Sequence, residues 1–116
     1  MEKQTIEFEA PGNQVLKRVS PLRTFASDTI NYIEVHFNLS DEWDGYNERV
    51  AVWYTEWAQK GSAIDADGKT VIPQEVLTQP GTLEMNLCFN CIENDKLTAR
   101  NTSYPVEVLK LVHTNV

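Results

Sequence analysis

Two cysteines, two histidines, a run of carboxylates and three tryptophans are the residues of this chain whose types could do chemistry. Cys88 and Cys91 have the spacing of a CxxC pair. Redox pairs of that kind open a helix, whose N-terminus lowers the thiol pKa. Here they lie in TLEMNLCFNCIE, residues 82–93, which alternates as a strand does. Three positions apart on a strand, the two side chains face opposite ways, a poor geometry for a disulfide. A zinc site would need two further soft ligands, and the histidines available are His36 and His113. The thiols are therefore read as reduced and structural. A hydrolytic triad needs a nucleophile, a positioned histidine and an acid. His36 falls on the polar face of its strand and His113 in the tail, with no nucleophile motif near either. The glycines sit in turns rather than in a phosphate-cradling run. The expectation is a protein that is not an enzyme and has no cofactor and no metal.

Asp41, Glu42, Asp44 and Glu48 form an acidic cluster that could hold a cation. A solvated loop whose carboxylates bond the local backbone is the plainer reading. Asp65, Asp67 and Gly68 imitate the opening of a calcium loop, but its later ligands and closing Glu are missing, which leaves a turn. Trp43, Trp53 and Trp57, with Tyr46 and Tyr54, could build a sugar-stacking platform. On a strand, Tyr54 would share a face with Val50 and Val52; Trp53 and Trp57 would share the other with Ala51 and Thr55. Either both faces are buried or one is an interaction surface.

The elements that must position these groups are strands. Ile33, Val35, Phe37 and Leu39 alternate with Glu34, His36 and Asn38, a period of two with one buried face. SDEWDGYNE interrupts it with turn chemistry, and a second strand rich in Val, Trp, Tyr and Thr runs over 49–57. Leu83, Met85, Leu87 and Phe89 give the cleanest alternation, and YPVEVLKLV, residues 104–112, is apolar at most positions. TIEFE begins the series, APGN turns it, and residues 14–20 form another short strand. Residues 62–65 and 69–72 flank Ala66, Asp67 and Gly68 as a hairpin. Pro73 opens one helical turn over 73–77. Asn94 and Asp95 turn the chain into a polar strand over 97–102. About seven to nine short strands with one helical turn predict an all-β, antiparallel β-sandwich.

At 116 residues the chain is sized for one domain. Its formal charge of −7, with only ten scattered Lys and Arg, argues against nucleic acid or an anionic membrane as partner. No apolar run approaches the roughly 20 residues of a membrane span, and MEKQTIEFEA lacks the features of a signal peptide.

Several motifs carry a resemblance. Asp28-Thr-Ile-Asn-Tyr-Ile-Glu-Val-His-Phe enters a strand; Leu39-Ser-Asp-Glu-Trp-Asp-Gly-Tyr forms a "seeWdg" loop; Val50-Ala-Val-Trp follows. Val71-Ile-Pro-Gln-Glu-Val-Leu and Tyr104-Pro-Val-Glu-Val complete the pattern. Residues 28–112 resemble immunoglobulin-like modules of tailed-phage virion proteins, found in head fibres, capsid decoration proteins and baseplate or tail components. The resemblance implies a non-enzymatic virion protein, assembled in the host cytoplasm, docking on major capsid, fibre or tail subunits, with self-association and a host-surface glycan as further partners. Capsid decoration or a head-fibre accessory is the preferred role, with a tail or baseplate component, or a carbohydrate-binding module using Trp53 and Trp57, as alternatives. Residues 1–27 would be an N-terminal arm or the first strands, and 113–116 a tail. Ile6, Phe8, Val15 and Leu16 in that arm, with Trp43, Tyr46, Trp53 and Trp57, are the candidate partner-binding residues.

Overall fold

A computed structural model describes residues 3–27 and 32–113. The start of the first phage-like motif, residues 28–31, and the tail beyond 113 lie outside them. Ten strands run in chain order: β1 (Lys3–Gly12), β2 (Val15–Arg18), β3 (Arg23–Ala26), β4 (Tyr32–Leu39), β5 (Glu48–Tyr54), β6 (Gln59–Ala63), β7 (Lys69–Val71), β8 (Gly81–Glu93), β9 (Lys96–Thr102) and β10 (Val106–Val112). They form two sheets, β2-β1-β4-β7 and β3-β10-β8-β5-β6, with β9 continuing along β8. The all-β sandwich expected from the alternation is what the chain builds.

Its sheets are mixed rather than antiparallel. β1 lies parallel to β4 from Lys3↔Tyr32 to Ala10↔Leu39, and β3 parallel to β10 from Arg23↔Leu109 to Ala26↔Val112. Between β1 and β4 the chain crosses to the other sheet to place β3, so these parallel strands need no helical crossover. Alternation reports which face is buried, not which way a neighbour runs. Of the segment expected to be an arm or the first strands, β1 is an inner strand of the first sheet, β2 is that sheet's edge, and β3 is the edge of the other. Ile6, Phe8 and Ala10 of β1 are buried, and the Phe8 and Phe37 rings stack with centroids 6.0 Å apart.

The facing sheet contributes Ala51 and Trp53 from β5, Leu83, Met85, Leu87 and Phe89 from β8, and Val108, Leu109 and Leu111 from β10. Phe37, Leu87 and Val108 belong to one interior. Val108 and Leu109 both turn inward because β10 carries a bulge between Glu107 and Leu109.

Two 3-10 turns close opposite ends of this interior, where the sequence predicts one. Asp41–Trp43 follows β4, and Gln74–Val76 follows β7, with Pro73 just ahead of it and Val76 and Leu77 wholly buried. The expected 62–72 hairpin is instead a crossing. The Asp65 carboxylate accepts the amides of Asp67 and Lys69 at 2.9 Å, closing the turn. β6 then stays with β5 while β7 joins β4 in the other sheet. A hydroxyl chain ties the divergence together: Trp53 Nε1 donates to Ser62 Oγ at 2.7 Å, Ser62 and Thr70 hydroxyls meet at 2.7 Å, and Thr70 donates to the Ala63 carbonyl.

Candidate functional site

At the end of the sandwich where β4 leaves and β5 begins, the Trp43 loop folds over Phe89. The Trp43 ring meets Phe89 edge-on at 5.0 Å, Tyr46 does the same at 6.2 Å, and the Arg49 guanidinium lies 5.3 Å from the Phe89 centroid. The aromatic quadrupole favours both edge-to-face pairing and a cation over the ring.

The loop is held by residues that alternation does not reveal. The type I′-like turn between β1 and β2 places Asn13 and Gln14 at φ 58° and 62°, which presents two successive amides on one side. The Glu42 carboxylate accepts both, Asn13 N at 2.8 Å and Gln14 N at 2.9 Å. Ser40 N donates to the Ala10 carbonyl, and Asn101 Nδ2 to the Glu42 carbonyl at 3.3 Å. Asn47 pairs in both directions with the backbone of Ile92, where β8 bulges. Glu48 accepts Asn90 Nδ2 at 2.7 Å, and Asn90 accepts Arg100 Nε at 2.7 Å. Two members of the acidic run, Glu42 and Glu48, are thus committed to holding the loop and strand together. Asp41 and Asp44 stay exposed, and among the described residues no three His, Cys, Asp or Glu are grouped to hold a metal.

Beside the plug opens a cleft of about 640 Å³, bounded by the ends of β1 and β4, the Trp43 loop, the start of β5 and the turn before β7. Glu9, Asp44 and Asp67 stand exposed around it, with Arg49 as its one lining cation. Ser40 Oγ, Trp43 Nε1 and Arg49 Nε, all of residues lining this cleft, are buried without a hydrogen-bond partner.

The other predicted site residues are scattered. Ile6, Phe8 and Leu16 are buried in the chain's own core, while Val15 is exposed. Trp53 is 0% exposed with its indole N–H bound to Ser62, whereas Trp57 is 36% exposed in the turn after β5, where Thr55 Oγ1 accepts its amide. The two indoles form no common platform: the Ala51/Trp53 face of β5 is core, and Val50, Val52 and Tyr54 look outward, half-buried. Both thiols are free, on opposite sides of β8. Asn47 and Arg49 are the residues missed by reading the sequence; Glu42 stood there only as one of the acidic cluster, and Phe89 only as core.

At the C-terminal end of β8, beside the Trp43 loop, the chain continues as a hairpin with β9, turned by Asn94 and Asp95 at φ 52° and 63°. Ile92 and Leu97 pair across it, 37% and 51% exposed, and among the described residues β9 pairs on one side only, with β8.

No family model matches the chain, and no curated protein does. Among solved structures it is similar to one described as the N-terminal domain of phage TP901-1 ORF48. The TM-score is 0.59 at 12% identity, over 96% of this chain and 98% of that one, so the two share a fold from end to end. Among the described residues no helix is long and apolar enough to cross a membrane.

Proposed function

We propose that the chain is a non-enzymatic structural module of a phage virion that docks on other virion proteins. The observation that carries this reading is the fold shared over nearly the full length of both chains with a phage protein domain. The "seeWdg" loop and the Val71-Ile-Pro-Gln-Glu-Val-Leu stretch point the same way. Within the virion we assign it to the capsid surface, as a decoration or head-fibre accessory. A tail or baseplate component is the second reading. The carbohydrate-binding reading loses its platform with Trp53 buried.

Docking is assigned to the β8–β9 hairpin. An unpaired strand edge offers main-chain hydrogen bonds to a partner, and a cross-strand apolar pair beside it offers burial. Ile92 and Leu97 supply that pair. The test is add-back: virions grown from a genome deleted for this reading frame are mixed with purified chain and sedimented. The chain should pellet with the particles, and Ile92→Glu with Leu97→Glu should abolish that while leaving the thermal melt unchanged. A chain that stays in the supernatant sinks the virion reading; a double variant that still pellets moves the contact elsewhere on the molecule.

A further inference from the structure

The two sheets bury their inner faces against each other, and among the described residues no third layer lies on the outer face of β5 and β8. Alternation along the paired strands sorts that face into rows. The two middle rows are Gly61–Val52–Asn86 and Ala63–Val50–Cys88. None of these six is charged, in a chain where 23% of residues are. Val50 and Val52 stand half-buried in the middle of it. Gly61 adds no side chain beside them; a Cβ there would lie only 3.1 Å from Val50 Cγ1.

Charge returns in the rows at either end. Tyr54, Glu84 and Glu107 make one of them, and Glu48, Asn90 and Arg100 the other. Arg100 is fixed in place, its Nε donating to Asn90 Oδ1 at 2.7 Å. Glu107 and Arg100 stand on the same flank of β8, because β5 occupies one edge of that strand while β10 and β9 follow each other along the opposite edge. An isologous contact needs a surface that is complementary to itself. A twofold axis in the plane of contact and across the strands makes this one so. It lays Arg100 of each copy over Glu107 of the other, Glu48 over the Tyr54 hydroxyl, and Val50 over Val52. An axis along β8 would instead stack Glu84 on Glu84, a like-charge contact that costs affinity.

We propose that two copies of the chain associate face to face through β5 and β8, their strands antiparallel, with the valine rows at the centre and an Arg100–Glu107 pair at each end. The four rows cover roughly 25 Å by 20 Å, which is below the ~800 Å² per partner of a standard interface. The association is therefore weak, with a dissociation constant of about 100 µM. At ~0.15 M salt the charge of −7 on each copy is screened beyond about 8 Å, which leaves the outcome to the rows in contact. This contact is independent of the virion reading, so a chain that ignores particles in the add-back test leaves it intact.

Sedimentation equilibrium of the full-length chain, at loadings up to about 1 mM, reads the association. The wild type should pass reversibly from monomer to dimer mass as its concentration rises. Val52→Lys, which puts a charge into the central rows, should leave it monomeric. Arg100→Glu and Glu107→Arg, each alone, should weaken dimerisation about tenfold by setting like charges together at both ends. The two combined should restore it, because the swap re-forms both pairs. Thermal melts check that each variant is folded, and the charge variants, at exposed positions, carry the test if Val52→Lys does not fold. A wild type that stays monomeric throughout overturns the proposal. So does a folded Val52→Lys chain that dimerises as tightly, or a double charge variant no tighter than either single one.

Discussion

Phe89 shows how one side chain serves two purposes, since its ring fills the interior and also seats Trp43, Tyr46 and Arg49 at the end of the sandwich. The three tryptophans, alike in sequence, separate by environment. Trp53→Ala should cost about 3–5 kcal/mol by leaving a cavity and freeing Ser62, whereas Trp57→Ala should cost less than about 1 kcal/mol. Urea denaturation of the two variants checks this, and similar losses in both would contradict the placement of Trp53. Glu34, on the outer face of β4, offers a pH test. The hydrogen bond from His36, with Nε2 2.5 Å from Glu34 Oε1, holds the Glu34 carboxyl below its ordinary range, against an opposing effect of burial and with help from Lys3. Because the folded value is the lower one, ionised Glu34 stabilises the protein above the ordinary glutamate pKa. That contribution disappears as acid titrates through the lowered value. Glu34→Gln should therefore flatten the acid side of a stability–pH curve; an unchanged acid limb would show that the pair contributes nothing.

Among the elements, the loop over 40–47 is held by bonds that reach far along the chain. Glu42→Ala removes the acceptor of the Asn13 and Gln14 amides and should lower stability by about 1–3 kcal/mol, read as a shift in denaturation midpoint at constant slope. At the turn before β7, Gly68 has φ +80° and a Cβ there would lie 2.5 Å from the Phe37 carbonyl oxygen. Gly68→Ala should cost at least about 2 kcal/mol through strained backbone alone, and a neutral effect in the same denaturation assay would mean that the turn re-forms elsewhere. At this scale the sequence was informative about faces and silent about partners. Leu83, Met85, Leu87 and Phe89 announce a half-buried strand, and all four are buried. Asn94-Asp95 announces a two-residue turn and makes one. Residues 62–72 have the composition of a hairpin, yet their two strands enter different sheets, because turn chemistry fixes a local reversal and not the pairing beyond it. Glu42 reads as one carboxylate among four, since nothing in its neighbourhood marks a bond to a turn 28 residues away.

For the molecule as a whole, the order of strands decides what the N-terminus is. Alternation in TIEFE is compatible with an arm on another subunit or an internal strand, and only the closed sheet, with β1 between β2 and β4, distinguishes them. Deleting residues 3–12 should therefore abolish cooperative unfolding by removing Ile6, Phe8 and Ala10 from the interior. A truncated chain that still melted in one sharp transition would contradict that topology. The proposed function rests on the same architecture: a sandwich with a phage counterpart and a hairpin whose outer edge is unpaired among the described residues. Cryo-electron microscopy of virions from the genome encoding this chain tests it most directly. It should show, at symmetry-related positions, a two-layer density of about 52 × 28 × 25 Å with the β8–β9 hairpin against a neighbouring subunit. Purified, infectious particles that lack the chain altogether would contradict the account.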